Sequence, residues 1–147
     1  MATKERRLND KEIYDLLLRI DDGYYITDYE EKKLSSVTSL DWTGFKIVKL
    51  PNSLRWLTSL TTLDLSYTPI KDIRMLSNLK SLTSISLKWT PVKNIQALSK
   101  MPSLTNLELT GVSVWDIRPL SNLTSLSNLY LNETKVYECV FHGGTLR

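Results

Sequence analysis

The sequence predicts an α/β solenoid, a right-handed superhelix with a parallel sheet on its concave side and a helical cap at its N-terminus. Two observations support this prediction. A pattern of apolar residues recurs every 22 residues from residue 60 onward, whereas the residues before the first repeat have the periodicity of helices. Because a fixed period of about 20–50 residues is typical of solenoids, the repeat decides the fold class.

The regular repeats begin at Leu60, Leu82, Leu104 and Leu126. Each opens with apolar residues at its first, fourth and sixth positions, and this alternation predicts a short strand with those side chains pointing inward. Apolar residues then follow at every third position, which predicts a tight turn and a helical or 3₁₀ return. About seven buried side chains at roughly 2 kcal/mol each do not compensate for ordering one repeat at about 1–2 kcal/mol per residue. Each repeat must therefore stack on its neighbours.

A diverged first copy, one residue longer than the others, begins at Val37. We therefore predict a repeat domain over residues 37–147, with five repeats that start near 37, 60, 82, 104 and 126 and with the last one incomplete. Residues 1–36 are predicted to form the N-terminal helical cap. Asn9 and Glu12 have the spacing of a capping box, and a second helix is expected to begin at Thr27. One helical face carries the apolar residues Leu8, Ile13, Leu16, Leu17 and Ile20.

Two segments, LTTLDLSYTPIKDIRMLSNLKS and LTNLELTGVSVWDIRPLSNLTS, resemble the 22-residue class of leucine-rich repeats found in bacterial internalins and in the regulatory subunit of protein phosphatase 1. The resemblance covers residues 37 to about 139. It implies protein recognition without naming the partner, and it favours a bacterial or phage origin. In one departure, the column that usually holds asparagine holds Thr68, Thr90, Val112 and Thr134. Threonine hydroxyls are expected to form a weaker ladder there, and the valine none.

The composition is that of an ordinary soluble globular protein, with 41% hydrophobic and 24% charged residues. A formal net charge of +3 is too even a balance to indicate nucleic acid or an anionic membrane. The single cysteine, Cys139, excludes an intramolecular disulfide. Because the N-terminus is charged and no apolar run approaches the length of a membrane span, we expect a cytoplasmic protein without membrane contact.

The polar side chains between the inward leucines are expected to form the concave face of the sheet, which we call the sheet face. Short and mildly acidic, they suit a basic or polar partner. Beside this face, Tyr67 and Trp89 occupy one repeat position, and Trp115 and Tyr137 occupy another near Lys71 and Lys93. We call these four aromatic residues the aromatic edge, and we expect them to be exposed as binding anchors. The alternative is that their rings merely shield the threonine turns.

Polar specificity is assigned to side chains on or near the sheet face: Asp41, Asp64, Lys88, Glu108 and Tyr130. Asp41 and Asp64 lie on neighbouring strands, but nothing apolar is placed to raise the pKa of one above that of the other, as a hydrolase would need. His142 and Cys139 are too few ligands for zinc, and no glycine-rich phosphate loop occurs. We therefore expect no catalytic residues, no metal and no cofactor, and we expect that the protein is not an enzyme.

The predicted function is that of a protein–protein interaction module that acts by occupancy, as a small inhibitor or adaptor. One alternative is a nucleic-acid-binding accessory protein, since basic residues lie on successive loops: Lys46, Lys49, Lys71, Arg74, Lys93 and Arg118. Asp72, Asp116 and Glu138 offset that charge. A second alternative is a bacterial effector that engages a host protein. The short C-terminal end also suggests a homodimer formed through the final repeat, because an unprotected last strand tends to pair.

Overall fold

The computed structural model describes residues 6–136. Two helices come first, α1 (Asp10–Asp21) and α2 (Asp28–Ser35). Seven short strands follow within this range: β1 (Ser39–Asp41), β2 (Thr62–Asp64), β3 (Ser84–Ser86), β4 (Asn106–Glu108), β5 (Ser113–Val114), β6 (Asn128–Tyr130) and β7 (Lys135–Val136). Between them lie the 3₁₀ helices Asn52–Trp56, Arg74–Asn78, Gln96–Lys100 and Arg118–Asn122.

Five of the strands form one parallel sheet in the order β1-β2-β3-β4-β6. Equivalent residues of successive repeats pair directly, so that Leu40 lies opposite Leu63 and Leu63 opposite Ile85. The same register continues through Leu107 to Leu129. A second, two-stranded parallel sheet joins β5 to β7. The chain is therefore an α/β solenoid in which one repeat adds one strand to the sheet, as the 22-residue period predicted.

The core runs along the inside of the repeats, where most of the periodic leucines, isoleucines and valines of the first four repeats are almost fully buried. Trp42 stands at a leucine position of the first repeat and is also fully buried. Its indole N–H donates to the Asp10 carbonyl oxygen at 3.0 Å, and the ring of Tyr14 meets it edge-on at 5.3 Å. The helix α1 thereby covers the first repeat, which is the role expected of a cap.

Both cap helices begin with a capping box. In the second box, the Thr27 side chain accepts from the Glu30 N–H at 3.2 Å, while the Glu30 carboxylate accepts from the Thr27 N–H at 3.0 Å. The hydrogen bond from the Thr27 backbone is the main cause that lowers the pKa of Glu30. Asn9 and Glu12 form the first box as predicted. Helix α1 then ends at Asp21, and Gly23 follows with φ of +95°.

The cap is also tied to the back of the first repeat. The buried hydroxyl of Ser53 donates to the Leu17 carbonyl oxygen at 2.7 Å. The Asp21 carboxylate accepts from the N–H groups of Asn52 and Ser53 at 2.6 Å and 2.7 Å. The C-terminal end of α1 therefore holds the first turn of the 3₁₀ helix Asn52–Trp56.

The expected threonine ladder is wrong for two of its members. The hydroxyls of Thr68 and Thr90 donate to carbonyl oxygens of their own repeats, those of Leu65 and Leu87, each at 2.7 Å. These two bonds close the loop of their own repeat and do not join repeats. In the same column, Thr134 bonds to the preceding repeat, at 2.7 Å to the Leu109 carbonyl oxygen.

The last described repeat leaves part of its apolar side open. Leu129 and Leu131 are each 39% exposed, although their counterparts in the preceding repeat, Leu107 and Leu109, are fully buried. The sequence beyond Val136, including Cys139 and His142, lies outside the described residues. Within residues 6–136, no helix is long and apolar enough to cross a membrane.

Candidate functional site

The loop that follows each strand of the main sheet carries one residue in the left-handed backbone region. These residues are Gly44 (φ +72°), Tyr67 (+59°), Trp89 (+54°), Gly111 (+72°) and Glu133 (+54°). They occupy the same position in the five repeats, so the left-handed turn is a requirement of the solenoid. Glycine adopts this conformation without strain, whereas a bulky side chain there costs about 1–3 kcal/mol.

Tyr67 and Trp89 therefore stand where the backbone favours glycine. They are 55% and 44% exposed, so burial of their rings offsets only part of the strain energy. Their backbones continue the strand pairing, with the Tyr67 N–H donating to Lys88 O at 2.8 Å and the Trp89 N–H donating to Thr110 O at 2.9 Å. The aromatic side chains are thus fixed at the end of a rigid sheet, facing solvent. Strained residues of this kind are characteristic of functional sites.

The indole of Trp89 lies flat over Gly111 of the next repeat. A Cβ atom built on Gly111 would overlap the indole ring atoms Cδ2, Cε3 and Cε2. Gly111 therefore leaves the space in which the ring rests, and the repeat pattern does not predict this support. Tyr67 and Trp89 share one repeat position without a ring–ring contact, since the ring–ring contacts within residues 6–136 are those of Tyr14 with Trp42 and Phe45.

Trp115 lies four residues beyond Gly111 and is 53% exposed. The Lys93 ammonium nitrogen is 5.9 Å from the centroid of its ring, and the Trp115 N–H donates to Lys93 O at 2.9 Å. The predicted neighbourhood of Trp115 and Lys93 is therefore present. Tyr137, the fourth residue of the aromatic edge, falls outside the described residues.

The acidic residues of the sheet face have a local structural role that the sequence analysis missed. Asp41, Asp64 and Glu108 each accept a hydrogen bond from the backbone N–H two residues further on, at 2.8–2.9 Å. These bonds shape the turn at the end of the strand, as Asx-type turns do. Hydrogen bonds from Thr43, side chain and backbone, lower the pKa of Asp41. Asp41 is therefore a carboxylate at neutral pH and not a proton donor.

The remaining predicted polar residues lie beside these acids. Lys88 is half-buried on the strand side of the Trp89 loop, and Tyr130 is exposed on the last strand of the sheet. Between the second and third repeats, the hydroxyl oxygens of Ser66 and Ser86 are 2.7 Å apart. The sheet face is therefore a shallow polar surface bordered by aromatic rings on one side.

Two of the basic loop residues are neutralised by their own loops. Arg74 pairs with Asp72 and Arg118 with Asp116, at 2.5 Å and 2.6 Å. These side-chain hydrogen bonds are the main causes that lower the pKa of Asp72 and Asp116. Each aspartate also accepts the backbone N–H of its arginine, the first residue of the 3₁₀ helix, at 2.9 Å. Both arginines are thus paired with aspartates of their own loops while remaining largely exposed.

Concave sites for a small molecule are poorly developed on the described part of the chain. An open cavity of about 380 Å³ lies between the cap helices, lined partly by Leu8, Leu16 and Tyr29. A cavity of about 490 Å³ on the convex side is lined by charged and polar side chains that include Lys71, Arg74 and Lys100. Residues 6–136 hold no group of three or more histidine, cysteine, aspartate or glutamate side chains placed to bind a metal ion.

Comparisons with known proteins agree with this architecture. Residues 58–100 match the family model described as leucine-rich repeats, two copies. An internalin of Listeria monocytogenes, InlF, is 26% identical with a TM-score of 0.60, over 86% of this chain and 44% of its own. Internalin C2 of the same organism is 17% identical with a TM-score of 0.57, over 92% of this chain and 82% of its own. The functional domain of InlJ from Listeria monocytogenes, which includes a cysteine ladder, is 23% identical with a TM-score of 0.60, over 71% of this chain and 22% of its own.

The chain therefore has the fold of leucine-rich-repeat proteins, and residues 58–100 match their family model. Its solenoid is similar to that of the internalins, but it spans less than half the length of InlF and less than a quarter of that of InlJ. No curated protein matches the sequence significantly. Leucine-rich-repeat domains in general mediate protein–protein interactions and serve as binding scaffolds, and the exposed aromatic residues beside a polar sheet fit that class.

Proposed function

We propose that this protein binds another protein through the aromatic edge and the adjoining sheet face, and that it acts by occupancy as a small inhibitor or adaptor. One observation carries the proposal. Tyr67 and Trp89 are exposed at positions where the backbone favours glycine. Their rings are therefore better explained by an external contact than by the stability of the fold.

The composition of the surface supports a protein as the partner. Tryptophan and tyrosine are the residues most enriched at binding hot spots. Trp89 and Trp115 supply two such rings on neighbouring repeats, held by a rigid backbone that loses little entropy on binding. The polar surroundings are formed by Asp41, Asp64, Glu108, Lys88 and Tyr130. The carboxylates of Asp41, Asp64 and Glu108 are held by hydrogen bonds in local turns, so they present fixed charges to a partner.

Catalysis and nucleic-acid binding fit the surface less well. The carboxylates of Asp41 and Asp64 are each bound to a backbone N–H of the turn that follows. For a nucleic acid, two of the loop arginines are already paired with Asp72 and Asp116. We therefore propose a non-enzymatic protein located in the cytoplasm. A bacterial effector that engages a host protein would use the same surface and differ in delivery.

A pull-down from cells that produce the protein tests this proposal. The baits are the wild type, a Trp89→Gly/Trp115→Ala variant and a Tyr25→Ala control. Tyr25 is a suitable control because it is 93% exposed on the cap, far from the sheet face. We expect a protein that is enriched by the wild type and the control and lost with the double variant. Equal retention by all three baits would place the interface elsewhere.

A specific observation favours a second proposal, a homodimer formed end to end through the last repeat. Within residues 6–136, Leu129, Leu131 and Val136 are each about 40% exposed on the last described repeat, where β6 pairs in the main sheet with β4 alone. Sedimentation over a concentration range of about 1–100 µM tests it, because a weak dimer dissociates on dilution. We expect a dimer that Leu129→Lys abolishes. A monomer throughout the range would contradict this second proposal.

A further inference from the structure

The exposed ring of Trp89 has no cation over it within residues 6–136, as is also true of Tyr25, Tyr67 and Tyr130. Cation–π contacts recur on the described surface, where Arg19 lies over Tyr24 (4.1 Å), Lys33 over Tyr29 (4.3 Å) and Lys93 over Trp115 (5.9 Å). Trp89 makes no such contact with residues 6–136. One face of its indole rests on Gly111, and the other is available to a ligand.

Glu108, a carboxylate without a counter-ion within residues 6–136, belongs to the turn that Trp89 contacts. Glu108 Oε1 accepts the Thr110 N–H at 2.8 Å. The ion pairs found between residues 6 and 136 are Arg6–Glu12, Lys11–Asp15, Arg74–Asp72 and Arg118–Asp116, so Glu108 takes part in none of them. Lys88, which directly precedes Trp89, neither pairs with Glu108 nor lies over the indole. The negative charge of Glu108 is therefore unpaired within this part of the chain.

The ring and the carboxylate border the same turn. Thr110 receives the Trp89 N–H on its carbonyl oxygen at 2.9 Å and gives its own N–H to Glu108. The indole lies over Gly111, whose Cα atom is about 3.8 Å from that of Thr110. This combination does not recur one repeat earlier, where Ser86 stands beside Tyr67 and its hydroxyl contacts Ser66.

We propose that Trp89 and Glu108 together bind the guanidinium group of an arginine in a basic segment of the partner protein. A guanidinium is planar, so it can stack on the indole while its N–H groups donate to the carboxylate. A lysine ammonium lacks that geometry, and an acidic segment would meet the charges of Asp64 and Glu108. The inference rests on the proposed function, since it names the chemistry that the aromatic edge recognises.

The test uses the full chain and a hexa-arginine peptide, with hexa-lysine and hexa-citrulline as comparison probes. Citrulline keeps the shape of arginine without its charge. The Trp89 indole N–H signal, identified with Trp89→Gly, is followed by NMR during the titration. We expect hexa-arginine to bind at least about 3-fold more tightly than hexa-lysine, and hexa-citrulline to leave the signal in place.

A double-mutant cycle then tests whether one group touches both side chains. We expect Trp89→Gly and Glu108→Gln each to weaken hexa-arginine binding by about 3–10-fold, and the double variant to lose little more than either one. Asp64→Asn is the matched control, and its effect should multiply with that of Trp89→Gly. Because glycine occupies the equivalent position at Gly44 and Gly111, Trp89→Gly should preserve the fold.

Independent, multiplying effects of the Trp89 and Glu108 substitutions would overturn the inference, as would equal binding of hexa-arginine and hexa-lysine. These results are distinguishable from failure of the proposed function. A partner lost with the Trp89→Gly/Trp115→Ala bait, together with independent effects in the cycle, means that the aromatic edge binds without this arginine contact. If the double-variant bait retains the partner while the cycle shows coupled effects, the arginine site exists but does not belong to the partner interface.

Discussion

At the scale of single residues, the left-handed position of each repeat shows a conflict between stability and surface chemistry. Gly44 and Gly111 satisfy the backbone, whereas Tyr67, Trp89 and Glu133 do not. The two aromatic side chains are about half exposed, so packing offsets only part of the conformational energy. Residues that lower stability at a solvent-facing position are expected where binding requires them.

Tyr67→Gly should therefore stabilise the protein by about 1 kcal/mol, because glycine adopts φ of +59° without a β-carbon clash. For a domain of this size, that corresponds to a rise in Tm of about 3 °C in a thermal melt. Glu133→Gly should behave in the same way, since Glu133 has φ of +54°. Tyr67→Ala is the control, because alanine keeps the β-carbon. A Tm for Tyr67→Gly at or below that of Tyr67→Ala would show that the position is not strained.

Gly111→Ala should lower stability and displace the Trp89 ring, since the new methyl group would occupy the place of the indole. The matched control is Gly44→Ala, because Gly44 has the same φ of +72° and no atom within 4 Å of the added Cβ. Backbone strain is common to the two variants, so any extra destabilisation of Gly111→Ala reports the ring contact. Near-ultraviolet circular dichroism should change only for Gly111→Ala. Equal melts and unchanged spectra for both variants would contradict the placement of Trp89.

At the scale of elements, the cap helices depend on hydrogen bonds at their first turns more than on their length. Helix α2 has eight residues and one buried side chain, Leu34. A helix this short is marginal without its capping box. In the box, Glu30 accepts from the backbone of Thr27 and from the Tyr24 hydroxyl, so its charge links α2 to the loop that precedes it.

The capping box predicts a pH dependence for this element. The pKa of Glu30 in the folded protein is lowered from its ordinary value of 4.5, chiefly by the Thr27 hydrogen bond. The stabilisation is therefore fully present above pH 4.5 and is lost as the pH falls through the lowered folded value. Urea unfolding should show that Glu30→Ala destabilises the protein at pH 7 and that this difference shrinks toward pH 3. Glu31→Ala, at an exposed neighbour without these bonds, should have little effect at either pH. A Glu30→Ala effect that is constant with pH would contradict the role of the charge.

At the scale of the whole molecule, the fold could be predicted because each repeat uses the same inward positions. The leucine spacing defines which residues pair, and Leu40, Leu63, Ile85, Leu107 and Leu129 lie in one row of the sheet. The capping box of Asn9 and Glu12 was visible because it depends on two residues three apart. The spacing of residues along the chain was therefore sufficient to predict the architecture.

The details of the site could not be predicted in the same way, because they depend on backbone angles and on contacts between repeats. The spacing of Trp89 and Gly111 in the sequence does not show that the Trp89 ring requires glycine at position 111. The turn-forming bonds of Asp64 and Glu108 were likewise hidden, since their alternation with leucine predicts only an exposed side chain. The threonine ladder was expected from a column of like residues, yet Thr68 and Thr90 bond within their own turns.

The central claim, that the solenoid binds a protein through its aromatic edge, is tested most directly by calorimetry with the partner that the pull-down captures. Wild type, Trp89→Gly and Tyr25→Ala are titrated under the same conditions. If Trp89 is an anchor, its loss should weaken binding by about 2 kcal/mol or more, which is roughly 30-fold in Kd, while Tyr25→Ala binds like the wild type. A Trp89→Gly variant that binds as tightly as the wild type, or a Tyr25→Ala variant that loses as much affinity, would contradict the account.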